Sequence, residues 1–210
     1  MALPHVVPSP LGGVFSVKVY GVELKAQEVN MALLALLFLI VYTLLSPNPL
    51  QAKEFKRPEQ ALSQIYPGSQ IEVRNITLTR EQVEEVQRIS GVKLESRLAS
   101  WYIVRKGGQI IAYGYADIHR VRTHPEVVLY TITPDGRLDV VEVLAFYEPL
   151  EYMPEDQWLR LFAGKQLSKD PIRLRRDIPN ITGSTLTARA ITDNARKVLA
   201  MWQILFGGQR

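Results

Sequence analysis

Two rhythms of hydrophobic positions run through the chain after residue 57. Pro58 opens a short helical segment carrying Ala61, Leu62 and Ile65, closed by Pro67-Gly68. Thr79 followed by Gln82 forms a capping box, Val83, Val86 and Ile89 make an apolar stripe, and Gly91 ends it, which predicts a second helix. The rhythm then shortens to that of strands. Trp101–Arg105 and Gln109–Ala116 flank Lys106-Gly107-Gly108, and 126–133 and Leu138–Phe146 flank Pro134-Asp135-Gly136, so two hairpins are expected. In residues 138–147 both alternating sets are largely apolar, with Glu142 the exception in the set of Leu138 and Asp139 in the other, the mark of a strand largely covered on both faces. Pro154 begins a third helix with Trp158, Leu161 and Phe162 on one side, ended by Gly164. From about Thr187 a long helix carries Ile191, Ala195, Val198, Leu199 and Trp202 at spacings of three and four. The expected fold class is α+β, an antiparallel sheet of hairpins packed against helices.

One segment obeys neither rhythm. Met31 to Leu45 is uncharged and apolar on every side, and Ser46-Pro47-Asn48-Pro49 follows it. A helix of 15 residues spans roughly 22 Å, and borrowing flanking residues brings it near the ~30 Å of a hydrocarbon core. The readings are a membrane anchor, a signal-peptide core, or a buried helix. A surface helix carries a polar stripe, which is missing, and the best cleavage candidate, Leu50-Gln51-Ala52, has a bulky Leu upstream. The expected organisation is an N-terminal segment (1–28), a single membrane helix (29–47), a linker (48–57) and a domain (58–210). Lys18 and Lys25 precede the helix while Lys53, Lys56 and Arg57 follow it, so basic residues alone weakly favour an inside domain.

With 210 residues the chain can bury a core unaided, and with no cysteine it excludes zinc ribbons, iron–sulfur ligation and thiol catalysis. The net charge of +4 sits after residue 52, dispersed apart from Arg173, Arg175 and Arg176, a run that reads as a solvated face; no nucleic-acid partner is expected. His5, His119 and His124 are too scattered for a metal site and read as surface or hairpin-edge residues. No Gly-rich dinucleotide turn or Walker loop is present. No catalytic acid–base set is expected.

One stretch carries chemistry. Asn180-Ile181-Thr182-Gly183-Ser184-Thr185-Leu186-Thr187 runs straight into the last helix. It reads either as a helix cap, for which one threonine suffices, or as an anion site of unpaired N–H groups, hydroxyls and a helix dipole.

The stretch resembles the Ser/Thr-Gly-Ala/Ser-Thr-x-Thr signature of the FMN-binding domain family. That family includes the FMN-carrying subunits of the sodium-translocating NADH:quinone oxidoreductase and of Rnf electron-transport complexes. Other pieces follow in the family's order: the strand–Asp-Gly–strand run 128–138, the segment ending at Glu148-Pro149, and Trp158 to Phe162-Ala163-Gly164-Lys165. Asp177 stands five residues before Thr182, farther than the family's usual Asp, and Ser184 replaces the commoner Ala. The resemblance implies FMN joined through its phosphate to Thr185 by a flavin transferase. It implies Thr182, Gly183, Ser184, Leu186, Thr187, Glu148 and Lys165 as further cofactor-binding residues. It also implies an electron-carrying subunit, anchored in the cell membrane with its domain on the extracytoplasmic side, among membrane redox partners such as a cytochrome or iron–sulfur protein. The alternative is a flavin-free binding or scaffolding subunit of the same fold.

Overall fold

The computed structural model describes residues 16–19, 22–45 and 56–208, in two units that divide between Pro49 and Leu50. In the first unit Ser16–Val19 (β1) and Val22–Lys25 (β2) pair antiparallel, and Ala26–Leu45 (α1) follows directly. The helix begins at Ala26 rather than at residue 29; residues 46–47 and most of the expected linker lie outside the described residues. Its large apolar side chains from Met31 to Tyr42 are exposed, from Val41 at 43% to Phe38 at 80%. Counting only the described residues, no helix is long and apolar enough to cross a membrane; the part of α1 whose side chains are described, within residues 31–42, is about 18 Å long.

The second unit is α+β. Gln70–Thr77 (β3), Leu98–Lys106 (β4), Gln109–Arg120 (β5), Pro125–Ile132 (β6) and Leu138–Phe146 (β7) form an antiparallel five-stranded meander in chain order. Pro58–Ile65 (α2), Arg80–Ser90 (α3), Asp156–Leu159 (α4) and Thr185–Leu205 (α5) are its helices. The Thr79–Gln82 box closes reciprocally on α3, and Gly91 ends the helix in the left-handed conformation, as the spacing predicts. The linker ends earlier than expected. The Lys56 N–H donates to Leu144 O at 3.2 Å and its ammonium meets Glu142 of β7 at 2.8 Å.

Two elements depart from the hydrophobic pattern. β3 has no clean alternation because it is the mostly exposed outer strand, with Glu72 set among Arg74 and Arg105. The expected third helix is broken into α4 and a 3₁₀ turn at Arg160–Phe162, and another 3₁₀ turn, Leu150–Tyr152, precedes it. Tighter winding brings Leu159 and Phe162, three apart, onto the inner side, and leaves Leu161 42% exposed.

The sheet buries both faces. Ala61 and Leu62 of α2 cover Val104, Ala112, Val127, Leu129 and Leu144. The other face, with Trp101, Ile103, Val128, Tyr130, Ile132 and Val143, meets Ile191, Ala195, Val198, Leu199 and Trp202 of α5. Register shifts between Val127 and Val128 and between Tyr130 and Ile132 set Val143 and Phe146, of opposite parity, on this same face. Gly136 stands at φ +86° beneath Trp202, where an added Cβ would lie 2.6 Å from Cζ3 of the indole.

Polar groups lock α5 to the sheet. Tyr130 Oη donates to Ile191 O at 3.1 Å, and Lys197 Nζ to Asp117 Oδ1 at 2.6 Å. His119 is not a surface residue: its side chain is 13% exposed, held between Asp117 Oδ2 at 2.9 Å and Glu126 Oε2 at 3.1 Å. Burial works against the imidazolium, but the two carboxylates outweigh it and raise its pKa to about 9. With His119 and Lys197 charged, the two buried carboxylates are matched one for one.

Two outcomes test this packing. Gly136→Ala should destabilise the domain by about 2–4 kcal/mol in urea unfolding, through strained φ and overpacking against Trp202. His119 has a folded-state pKa above its unfolded value, so its stabilisation is complete below about pH 6.5 and fades as pH rises through about 9. Thermal melts should therefore fall across that window, and His119→Gln should flatten the slope.

Candidate functional site

Ile181–Ser184 form a turn closed by Ser184 N–H to Ile181 O at 3.1 Å, with Gly183 at φ +82° in its third position. A turn of type II demands that positive φ. Nothing lies within 4 Å of a Cβ added at Gly183, so the glycine answers a backbone requirement and not crowding by the protein. Ser184 is the N-cap of α5, and its carbonyl accepts from Ala188 N–H at 3.0 Å.

The helix start is uncapped. Ser184 makes no side-chain cap bond, and the first turn holds no acidic residue. The cap reading of the threonine-rich stretch therefore fails: its hydroxyls do not satisfy the helix. The N–H groups of Thr185, Leu186 and Thr187 are left without intrahelical acceptors.

These groups open on a cleft of about 170 Å³, lined by Gly183–Thr187 together with Val121, Arg122, Glu148 and Tyr152. Ser184 and Thr187 are only 4% and 2% exposed, yet among the described residues neither hydroxyl has a hydrogen-bond partner. Both residues line this cleft. Thr185 is half-buried, with Oγ1 accepting from Asn180 Nδ2 at 3.0 Å; Asn180 Oδ1 is buried without a partner. Leu186, 47% exposed, forms part of the wall, whereas Thr182 is exposed in the turn and outside the lining.

Glu148 reaches the cleft from the end of β7. Its Oε1 accepts from the N–H groups of Arg122, Thr123 and His124 at 3.2, 2.6 and 2.8 Å. Burial would raise its pKa, but these backbone donors bring it down to about 2. The carboxylate is thus permanently ionised, and its charge is spent on the β5–β6 turn.

Lys165 is not brought to the cleft. Its ammonium lies 3.5 Å from Asp177 and 4.0 Å from Asp170, while Asp177 also accepts from the N–H groups of Ile172 and Arg173. That carboxylate holds a loop in which Ile172 and Arg175 both adopt positive φ. Arg122, Val121 and Tyr152 are the lining residues that sequence reasoning missed. They stand in a turn and a 3₁₀ segment without any local signature, and only the fold sets them opposite the start of α5.

Chemically the cleft suits an oxyanion: the N-terminal end of α5 with its dipole, the hydroxyl residues Ser184, Thr185 and Thr187, and the basic Arg122 all line it. A second cleft, of about 240 Å³ near Trp202 and Gln203, has Asp135 as its one charged lining residue, already engaged by Thr133 and Arg137. No protein-family model matches the chain, and no curated protein is similar to it.

Ser184→Asp should test the uncapped start. A carboxylate there complements the helix dipole and should raise stability by about 0.3–1 kcal/mol in urea unfolding, while abolishing binding of any anion in the cleft.

Proposed function

We propose that the domain carries FMN, attached through its phosphate to the Thr185 hydroxyl, and serves as an electron-carrying subunit of a membrane redox chain. The observation that carries this reading is the uncapped start of α5 on a cleft that Ser184, Thr185 and Thr187 line. A helix start left without a side-chain cap keeps N–H groups that a bound phosphate would engage. The residues fit the group: Ser184, Thr187 and the first N–H groups of α5 would hold the phosphate, and Tyr152 offers an aromatic face beside it. When bound, the isoalloxazine ring supplies the redox chemistry, and the protein supplies attachment and orientation.

In this reading α1 is a single-pass anchor in the cell membrane and the domain is extracytoplasmic, as the family resemblance implies. The 20 residues of α1 correspond to about 30 Å of helix, the thickness of a hydrocarbon core, and its exposed apolar side chains favour a lipid surrounding. Its partners would be a flavin transferase during maturation and membrane redox subunits, a cytochrome or iron–sulfur protein, thereafter.

A second reading, a flavin-free binding or scaffolding subunit, is favoured by one observation. Asp177, the acidic residue nearest upstream of the motif, is committed to Ile172, Arg173 and Lys165 and does not serve Thr185, which is met by the neutral Asn180 instead.

The experiment is expression of the full chain with a flavin transferase, read by in-gel flavin fluorescence and intact mass. The wild type should gain the FMN increment. Thr185→Val should lose it with little change in stability, about 1 kcal/mol at most, and Thr187→Val should lower occupancy without removing the bond. An increment retained by Thr185→Val would move the attachment to another hydroxyl. A wild type that never gains it would favour the flavin-free reading.

A further inference from the structure

Most of the polar groups lining the cleft belong to the start of α5, and none of those carries a full charge. Arg122, in the turn between β5 and β6, is the one basic residue in the lining. Two observations set this arginine apart. Its guanidinium has no carboxylate partner among the described residues, so no neighbour neutralises it. The turn that carries it is also built around a buried anion: Glu148, 4% exposed, gathers three consecutive backbone N–H groups beginning with that of Arg122. Thr123 Oγ1 adds a longer contact to the same carboxylate at 3.3 Å, and the His124 ring stands 3.6 Å from its second oxygen.

A carboxylate beside an anion site would ordinarily repel the ligand. Here its charge is matched by peptide dipoles of the turn, which also set the orientation of the Arg122 backbone. Tyr152 completes this wall. It lines the cleft together with Arg122 and Glu148.

We infer that Arg122 is the counter-charge for a phosphate monoester bound at the start of α5, and that Glu148 is a positioning residue acting through it rather than a ligand contact. This rests on the phosphate reading of the cleft, and it changes the role of Glu148 from cofactor contact to support of the turn. The arrangement gives the site two unlike halves. The helix start supplies neutral donors and a dipole, and the turn supplies the one full positive charge that a dianionic phosphate requires to leave water.

The test uses the full chain in detergent, made without a flavin transferase, and titrates it with FMN, with riboflavin and with inorganic phosphate by flavin fluorescence. The wild type should bind FMN more tightly than riboflavin, and inorganic phosphate should compete with FMN. Arg122→Ala should weaken FMN by roughly 10- to 100-fold and leave riboflavin unchanged. Arg122→Lys should recover part of the loss. Glu148→Gln should weaken FMN in the wild-type background but add nothing on top of Arg122→Ala. The inference is overturned if Arg122→Ala still prefers FMN over riboflavin as the wild type does, or if the Glu148→Gln loss adds in full to that of Arg122→Ala. A wild type that does not distinguish FMN from riboflavin, or binds neither, would instead sink the phosphate reading itself.

Discussion

The seating of α5 on the sheet is the constraint from which the rest of the domain follows. Ile191, Ala195, Val198, Leu199 and Trp202 bury one face of that helix against β4–β7. The contact is extensive enough to tolerate the indole N–H groups of Trp101 and Trp202 buried without partners, a cost of about 1–3 kcal/mol each. Apolar burial has no direction of its own. Direction comes from three polar ties: Tyr130 to the Ile191 carbonyl, Lys197 to Asp117, and Arg196 to Ser90 O and Ile172 O. Between them they prevent the helix from sliding or rotating on the sheet, and so determine where its N-terminus stands.

Two carboxylates, Glu148 buried and Asp177 half-buried, organise the irregular parts. Glu148 folds the β5–β6 turn around itself, and Asp177 does the same for the loop before α5, accepting from Ile172 and Arg173. That loop holds Ile172 and Arg175 at positive φ, conformations that cost about 1–3 kcal/mol each and persist only where the surroundings over-determine them. The surroundings do so here. Ile172 and Ile178 are fully buried, the Leu174–Ile178 bridge closes the loop, and Trp158 Nε1 donates to Pro179 O at 2.8 Å. The turn that opens α5 thus leaves a rigid base. Its unused donors are a local defect in an otherwise well-satisfied region, the kind of exception that marks a binding site.

Much of the scaffold is legible in the amino-acid order because short-range physics sets it. The Thr79–Gln82 box with Gly91, the glycine turns at 107–108 and 136, and the three-and-four spacing along α5 each specify an element from within a few residues. The turn-to-helix character of 182–187 is equally local, since Gly183 and the hydroxyl-rich run allow little else. The edge strand β3 and the broken α4 region escape this logic. One exposes most of its side chains, and in the other a 3₁₀ winding replaces the expected period.

By itself, then, the sequence determined most of the domain's helices and its two hairpins, that the domain is α+β, and that a hydroxyl-rich turn opens its last helix. Tertiary structure decided what that turn faces. Arg122 and Tyr152 are remote from it in sequence and carry no motif, and Glu148 joins them because β7 ends beside the β5–β6 turn. It decided equally that Lys165 is drawn to Asp177 and away from the cleft, and that His119 is enclosed by carboxylates. The physical reason is common to all of these. Local pattern reports backbone conformation and which face is apolar, whereas the partner of a charge depends on which strands and turns the packing of α5 brings within a few ångströms.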